Sequence, residues 1–138
     1  MGWFGKKGRD TGDGGGNGSG PDYSAIDSRD KVQALVDRGE LVPMLMLPEA
    51  FGGEAIPPNI LHVPRFAADL KASTDANVIA PLAASGKLSR YKVEPEYEGN
   101  SFVPVAVRLI AWDPGSFNYT VAIWGKALEQ RPEGARVN

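Results

Sequence analysis

Apolar and charged residues alternate along residues 89–98, near the middle of the chain. One side of this stretch carries aromatic, branched and proline side chains. The other side carries only charged ones, namely Arg90, Lys92, Glu94, Glu96 and Glu98. A period of two with one charged side is typical of a half-buried antiparallel strand. Pro95 has no backbone donor, which places this strand at a sheet edge or at a bulge.

Three further apolar stretches predict the rest of the sheet. Residues 102–112 are apolar on both sides, which is typical of a central strand, and residues 118–124 alternate again. Gly99-Asn100 and Asp113-Pro114-Gly115 separate these strands as turns. The apolar run at residues 41–47 is too short for a helix. We therefore place it beside the other three, in an antiparallel sheet of about four strands.

Two helices are indicated by capping residues and by spacing. Ser28 is a candidate N-cap and Gly39 a stop signal, which predicts a short helix between them. Pro64 suits the start of a long helix of about 15 residues, with one more turn before Gly86 and a kink at Pro81. The apolar stripe of this helix is Phe66, Ala67, Leu70, Val78, Ile79 and Leu82. The charged residues expected to face elsewhere are Asp69, Lys71, Asp75 and Lys87.

This order of elements predicts an α+β fold, with the long helix packed across one face of the antiparallel sheet and the short N-terminal helix before it. The first 22 residues hold nine of the 17 glycines. Because glycine loses the most backbone entropy on ordering, residues 1–22 are expected to form a flexible tail. Residues 23–128 are then a single domain, and residues 129–138 a second flexible tail.

Composition excludes several kinds of chemistry. The chain has 138 residues, a net charge of −2 and no cysteine, which removes thiolate chemistry and disfavours a nucleic-acid partner. His62 is the single histidine, so no multi-histidine metal site can form within one chain, and we expect neither metal nor cofactor. No apolar run reaches the roughly 18 residues of a membrane span, and no signal peptide is visible. We expect a cytoplasmic protein.

The long predicted loop at residues 48–63 is the first candidate site, because ordered loops of this length are uncommon and often functional. It carries Glu49, Phe51 and His62. Glu94 and Glu96 are the second candidate, since carboxylates about 7 Å apart on a strand can share acid–base work or a cation. A solvated strand face is the favoured interpretation of this pair, because nothing predicts its burial.

Aromatic residues supply the remaining candidates. Trp112 and Trp124 lie on paired strands, where they serve the core or, as the alternative, anchor a partner. Near the N-terminus, two aromatic residues stand beside two lysines, namely Trp3, Phe4, Lys6 and Lys7. Such a tip can touch a membrane surface, although a disordered start is the favoured interpretation.

Three functions fit these features. Since no catalytic constellation is visible, we expect a non-enzymatic protein–protein interaction module, such as an inhibitor, an immunity-type protein or a structural subunit. Its partner is another protein or a second copy of the chain. The alternative is a small-ligand-binding or enzymatic domain with a pocket between helix and sheet, using His62, Glu94 or Asp113 as acid or base. The second alternative is a peripheral membrane protein held by its N-terminal tip.

Overall fold

Residues 21–129 and 136–137 are described by the computed structural model, and they form an α+β fold with antiparallel sheets. The strands are β1 (Val42–Leu45), β2 (Ile60–Val63), β3 (Arg90–Glu96), β4 (Ala106–Trp112), β5 (Ser116–Ala122) and β6 (Arg136–Val137). The helices are α1 (Arg29–Asp37), α2 (Arg65–Thr74, continued by Asp75–Ile79 and Ala80–Ala84) and α3 (Lys126–Glu129). Single 3₁₀ turns cover Glu49–Phe51 and Pro57–Asn59.

The larger sheet is the predicted three-stranded meander, β3-β4-β5, and the two-residue β6 extends it beyond β5. Tyr91 lies opposite Ala111, and Ala111 lies opposite Phe117. This register places Tyr91 and Val93 on the buried face of the sheet, and the charged residues of β3 on the other face beside Ile110 and Trp112. The alternation in residues 89–98 therefore predicted the strand and its buried side, and the order of the three strands predicted its pairing with β4.

The connection between β3 and β4 is longer than the predicted Gly99-Asn100 turn, because both strands end early. The Ser101 hydroxyl donates to the Tyr23 carbonyl at 2.7 Å, and the Phe102 amide donates to the Ile26 carbonyl at 2.7 Å. These bonds tie the connection to the segment that precedes α1 instead of extending the β ladder.

The predicted placement of residues 41–47 beside the meander is wrong. In the structure, β1 pairs with β2 in a separate two-stranded antiparallel sheet, with Met44 opposite Leu61. The residue after Pro57–Asn59 is already in β2, so the loop folds back and supplies a nearby partner for β1. Asn59 closes this loop: its side chain accepts from the Leu47 amide and donates to the Leu47 carbonyl, both at 2.9 Å.

The short helix α1 follows its prediction. The Ser28 side chain accepts from the Lys31 amide at 3.2 Å, which satisfies a donor of the first turn. Val32 and Leu35 are buried, and the chain leaves the helix through Gly39, which has a positive φ of 79°.

The long helix α2 is continuous over 20 residues and does not break at Pro81. Its middle, Asp75–Ile79, is a π-helical turn, in which the Ala80 amide donates to the Asp75 carbonyl five residues earlier. A π turn widens the helix by one residue. The π turn comes directly before Pro81, whose ring and missing amide disturb regular helical bonding to the preceding turn.

The predicted apolar stripe of α2 is right at Ala67 and Ile79, which are buried, but wrong at Phe66 and Leu70, which are 49% and 37% exposed. The inserted π residue offsets the faces before and after it by roughly 100°. One straight stripe therefore cannot stay buried along the whole helix. The residues that are buried in α2 are Ala67, Lys71, Thr74, Asp75 and Ile79.

Two buried clusters hold the fold together. In the larger one, Leu109 and Val121 of the sheet pack in one cluster with Ala67 of α2 and Leu35 of α1. The smaller cluster joins Ile79 to Ala111 and Phe117 of the sheet. The predicted tails at residues 1–22 and 129–138 fall almost wholly outside the described residues.

Candidate functional site

An open groove of about 680 Å³ separates α2 from β1 and the 3₁₀ turn that follows it. We call it the Lys71 groove. It is lined on the helix side by Ala68, Asp69, Lys71, Ala72, Asp75, Ala76 and Ala80. On the other side it is lined by Pro43, Met44, Leu45, Pro48, Glu49, Ala50 and Phe51.

The groove exists because the helix presents its smallest side chains to it. Ala68, Ala72, Ala76 and Ala80 recur at every fourth residue, and all four line the groove. Twelve residues of helix span roughly 18 Å at 1.5 Å per residue, so the alanine wall is long and shallow. A methyl group at each position leaves a channel that larger side chains would close.

A buried polar cluster lies at the floor of the groove. The Lys71 Nζ atom donates to Asp75 Oδ2 at 2.6 Å, and the two side chains are only 3% and 8% exposed. The Tyr91 hydroxyl, from β3, donates to Asp75 Oδ1 at 2.6 Å. Both carboxylate oxygens of Asp75 therefore accept a bond from a protein donor, and the helix is tied to the sheet at this point.

Aromatic contacts connect this cluster to the loop side of the groove. Phe51 meets the Tyr91 ring edge-on, with 5.5 Å between ring centroids. Lys71 Nζ lies 5.8 Å from the centroid of the same ring, within range of a cation–π attraction. Tyr91 thus contacts the loop, the helix and the buried charge pair at once.

The electrostatics of the cluster follow from its burial. Desolvation lowers the pKa of Lys71, and the hydrogen bond and charge of Asp75 oppose that shift. Desolvation also raises the pKa of Tyr91, and the neighbouring Asp75 carboxylate raises it further. Tyr91 is therefore a neutral hydrogen-bond donor across the physiological pH range.

Lys71 has N–H donors beyond the one that it gives to Asp75. An ammonium group has three N–H donors, and within the described part of the chain only Asp75 accepts from it. The remaining donors need acceptors, because a buried unsatisfied donor costs about 1–3 kcal/mol. At the rim, Glu49 and Asp69 are exposed, so acidic residues outnumber basic ones in the lining.

Of the predicted site residues that the structure describes, Glu49 and Phe51 line the Lys71 groove together. His62 is half-buried on β2 and lines a second groove of about 460 Å³ between α1 and β2. Two exposed aromatic side chains, Tyr97 and Phe102, line this second groove, which we call the Tyr97 groove. Pro43 lines both grooves.

Glu94 and Glu96 lie on the solvated face of the larger sheet, among basic side chains. Glu94 pairs with Lys92 at 2.9 Å and with Arg108 at 3.4 Å, and Glu96 pairs with Arg108. The hydrogen bond and charge of Lys92 lower the pKa of Glu94. A general acid needs a raised pKa, so this geometry favours a surface charge ladder over acid–base catalysis.

The two tryptophans differ in environment. Trp124 is 3% exposed, donates from Nε1 to the Val103 carbonyl at 3.0 Å and meets Tyr23 edge-on, so it belongs to the core and its indole is not open to a ligand. Trp112 is half-buried on the charged sheet face, with Lys92 Nζ 5.9 Å from its ring. The N-terminal candidates lie outside the described residues, namely Trp3, Phe4, Lys6 and Lys7.

Sequence reasoning missed the central residues Lys71, Asp75 and Tyr91. The spacing of Lys71 and Asp75 is that of a solvated helix pair, and only the alanine recurrence marked this face of the helix as unusual.

Within the described ranges, no group of three or more acidic or histidine side chains could hold a metal ion, and no helix is long and apolar enough to cross a membrane. Comparison with protein-family models, curated proteins and solved structures finds no match for the chain.

Proposed function

We propose that the protein is a non-enzymatic interaction module whose recognition site is the Lys71 groove. The observation that carries this proposal is the buried Lys71 ammonium, which lines an alanine-rich groove and has N–H donors beyond its bond to Asp75. A π turn begins at Asp75, and such turns occur frequently at functional sites. The Asp75 carboxylate accepts from Lys71 at 2.6 Å and favours its charged ammonium form over the free amine that a nucleophile needs, which favours binding over catalysis.

The chemistry of the lining points to one class of occupant, an extended segment of a partner protein. Main-chain carbonyls of such a segment accept from Lys71, and its apolar side chains cover the alanine wall. Basic side chains at one end meet Glu49 and Asp69 at the rim. Charge complementarity of this kind sets partner choice and association rate more than affinity.

The test is a titration of the ¹⁵N-labelled full chain with a capped peptide, Leu-Leu-Gly-Lys-Lys, followed by two-dimensional NMR. We expect amide shifts at Ala68, Ala72 and Ala76, and much weaker shifts with a matched peptide that has glutamate in place of lysine. Ala72→Leu fills the channel and should abolish the shifts. The control Ala34→Leu changes an exposed alanine on α1, outside the groove, and should leave them intact.

Equal shifts with the lysine and glutamate peptides, or shifts that persist in Ala72→Leu, would refute this assignment. A compact small molecule is the second candidate, because about 680 Å³ lies within the usual range of ligand pockets. In that case small carbonyl compounds, and neither peptide, would shift the Lys71 and Asp75 signals. A cytoplasmic location is part of the proposal.

A further inference from the structure

We propose that the N-terminal tip, residues 1–7, occupies the Lys71 groove of its own chain and competes there with partner segments. This inference rests on the proposed function, since it requires the groove to accept an extended peptide.

The composition of the tip matches the lining of the groove. Trp3 and Phe4 offer two large apolar side chains, and Lys6 and Lys7 follow directly. The first acidic residue of the chain is Asp10, so the tip carries positive charge only. The groove offers the reverse, with an apolar alanine wall and an acidic rim formed by Glu49 and Asp69.

The Tyr97 groove is a poorer match for the tip. It contains the exposed aromatics Tyr97 and Phe102, but its charged lining residue is Arg29, and it includes no acidic side chain. Two lysines would therefore meet a like charge there. The Lys71 groove, in contrast, places two exposed carboxylates beside its apolar wall.

The chain is long enough for this contact. Residues 8–20 join the tip to Pro21, and thirteen residues span roughly 43 Å when extended. A domain of this size has a radius of gyration of about 13 Å, so the tether reaches any point on its surface.

Tethering makes a weak contact effective. A linker of this length holds the tip at a local concentration on the order of 1 mM. If the untethered tip binds with a dissociation constant of about 0.1–1 mM, it occupies the groove in about half to nine-tenths of the chains. The apparent dissociation constant of a competing peptide then rises about 2- to 10-fold.

The absence of cysteine in the chain permits a direct test. Gly8→Cys introduces a single attachment point for a nitroxide spin label beside the tip. In the ¹⁵N-labelled full chain, we expect paramagnetic broadening of the amides of Ala68, Ala72 and Ala76. Adding Trp3→Ser with Phe4→Ser should remove this broadening. The matched double change Thr11→Ser with Asn17→Ser should retain it.

Several outcomes would overturn the inference. Broadening centred on Tyr97 and Phe102, or no localised broadening, would show that the tip does not occupy the Lys71 groove. Broadening that arises only between labelled and unlabelled chains in a mixture would assign the groove to a second copy. Co-sedimentation with phosphatidylserine vesicles that requires Trp3 and Phe4, without groove broadening, would assign the tip to a membrane surface.

Failure of the tip can be separated from failure of the groove. The Leu-Leu-Gly-Lys-Lys peptide is titrated into the chain carrying Trp3→Ser with Phe4→Ser, where we expect binding 2- to 10-fold tighter than in the unaltered chain. Equal binding in both chains would refute the tip contact and leave the groove as a peptide site. No binding in either chain would refute the proposed function itself.

Discussion

Separating the Lys71–Asp75 pair should produce one of the largest stability losses available to a conservative substitution in this protein. Lys71→Met retains the length and volume of the side chain but leaves the Asp75 carboxylate, 8% exposed, without its cation. Removing one partner of a buried ion pair typically costs about 3–5 kcal/mol. Domains of this size have a total stability of about 5–15 kcal/mol, so the variant should remain folded but be visibly weakened.

The double variant Lys71→Met with Asp75→Asn completes the comparison. It removes both charges, and an amide at position 75 still accepts from the Tyr91 hydroxyl. Replacing a buried pair as a unit is often neutral or stabilising, so most of the lost free energy should return. The two single changes are therefore strongly non-additive, with a coupling free energy of about 3 kcal/mol or more.

Urea unfolding followed by circular dichroism measures this cycle. With a slope of about 1–3 kcal/mol per molar urea, the single variants should shift the midpoint by about 1 M or more while the slope stays unchanged. The matched control is Asp27–Lys31, which has the same four-residue spacing but side chains that are 47% and 54% exposed. Its cycle should show no resolvable coupling. Equal, small effects in both pairs would mean that Lys71 is solvated and would refute the buried cluster.

Three further predictions test other parts of the structure. Tyr91→Phe should flatten the loss of stability above about pH 10, because burial raises the pKa of Tyr91 above its ordinary 10.0. The contribution of Tyr91 is complete below that pH and is lost, at up to about 1.4 kcal/mol per pH unit, as the unfolded chain ionises first. An unchanged slope in urea titrations would contradict this. Gly53→Ala should destabilise the protein by about 2 kcal/mol or more in thermal unfolding, because a Cβ there would lie 1.8 Å from the Leu47 carbonyl oxygen. A loss smaller than the experimental scatter of the unfolding measurement would show that the loop is not closed. Arg108→Met should change the urea midpoint far less than Lys71→Met does, because the acidic partners of Arg108 are about two-fifths exposed. A loss of stability comparable to that of Lys71→Met would contradict the solvation of this sheet face.

Local patterns along the chain were sufficient to predict the meander and the first helix. The alternation around Tyr91 and Val93 specifies which side of β3 is buried, and a shift of one residue would turn every side chain over. Ser28 and Gly39 bound α1 through bonds and backbone angles within a few residues of each helix end. These features depend on neighbours in sequence, so sequence reasoning recovers them.

The partner of β1 and the buried face of α2 were decided by contacts between distant residues. β1 pairs with β2 because the loop closed by Asn59 brings that strand back, and an apolar run alone does not identify its partner. A π turn before Pro81 rotates the helix faces, so the stripe that begins at Phe66 is not the buried one.

The candidate site depends on the same distinction. By itself the sequence determined that two charged residues four apart, Lys71 and Asp75, can pair on a helix. Only the tertiary structure decided that the pair is buried, because Tyr91 reaches Asp75 from a strand that follows in the chain and the alanine face leaves the groove open above it. Burial changes a pair that is nearly neutral for stability in water into a strong constraint, since desolvated charges must find partners.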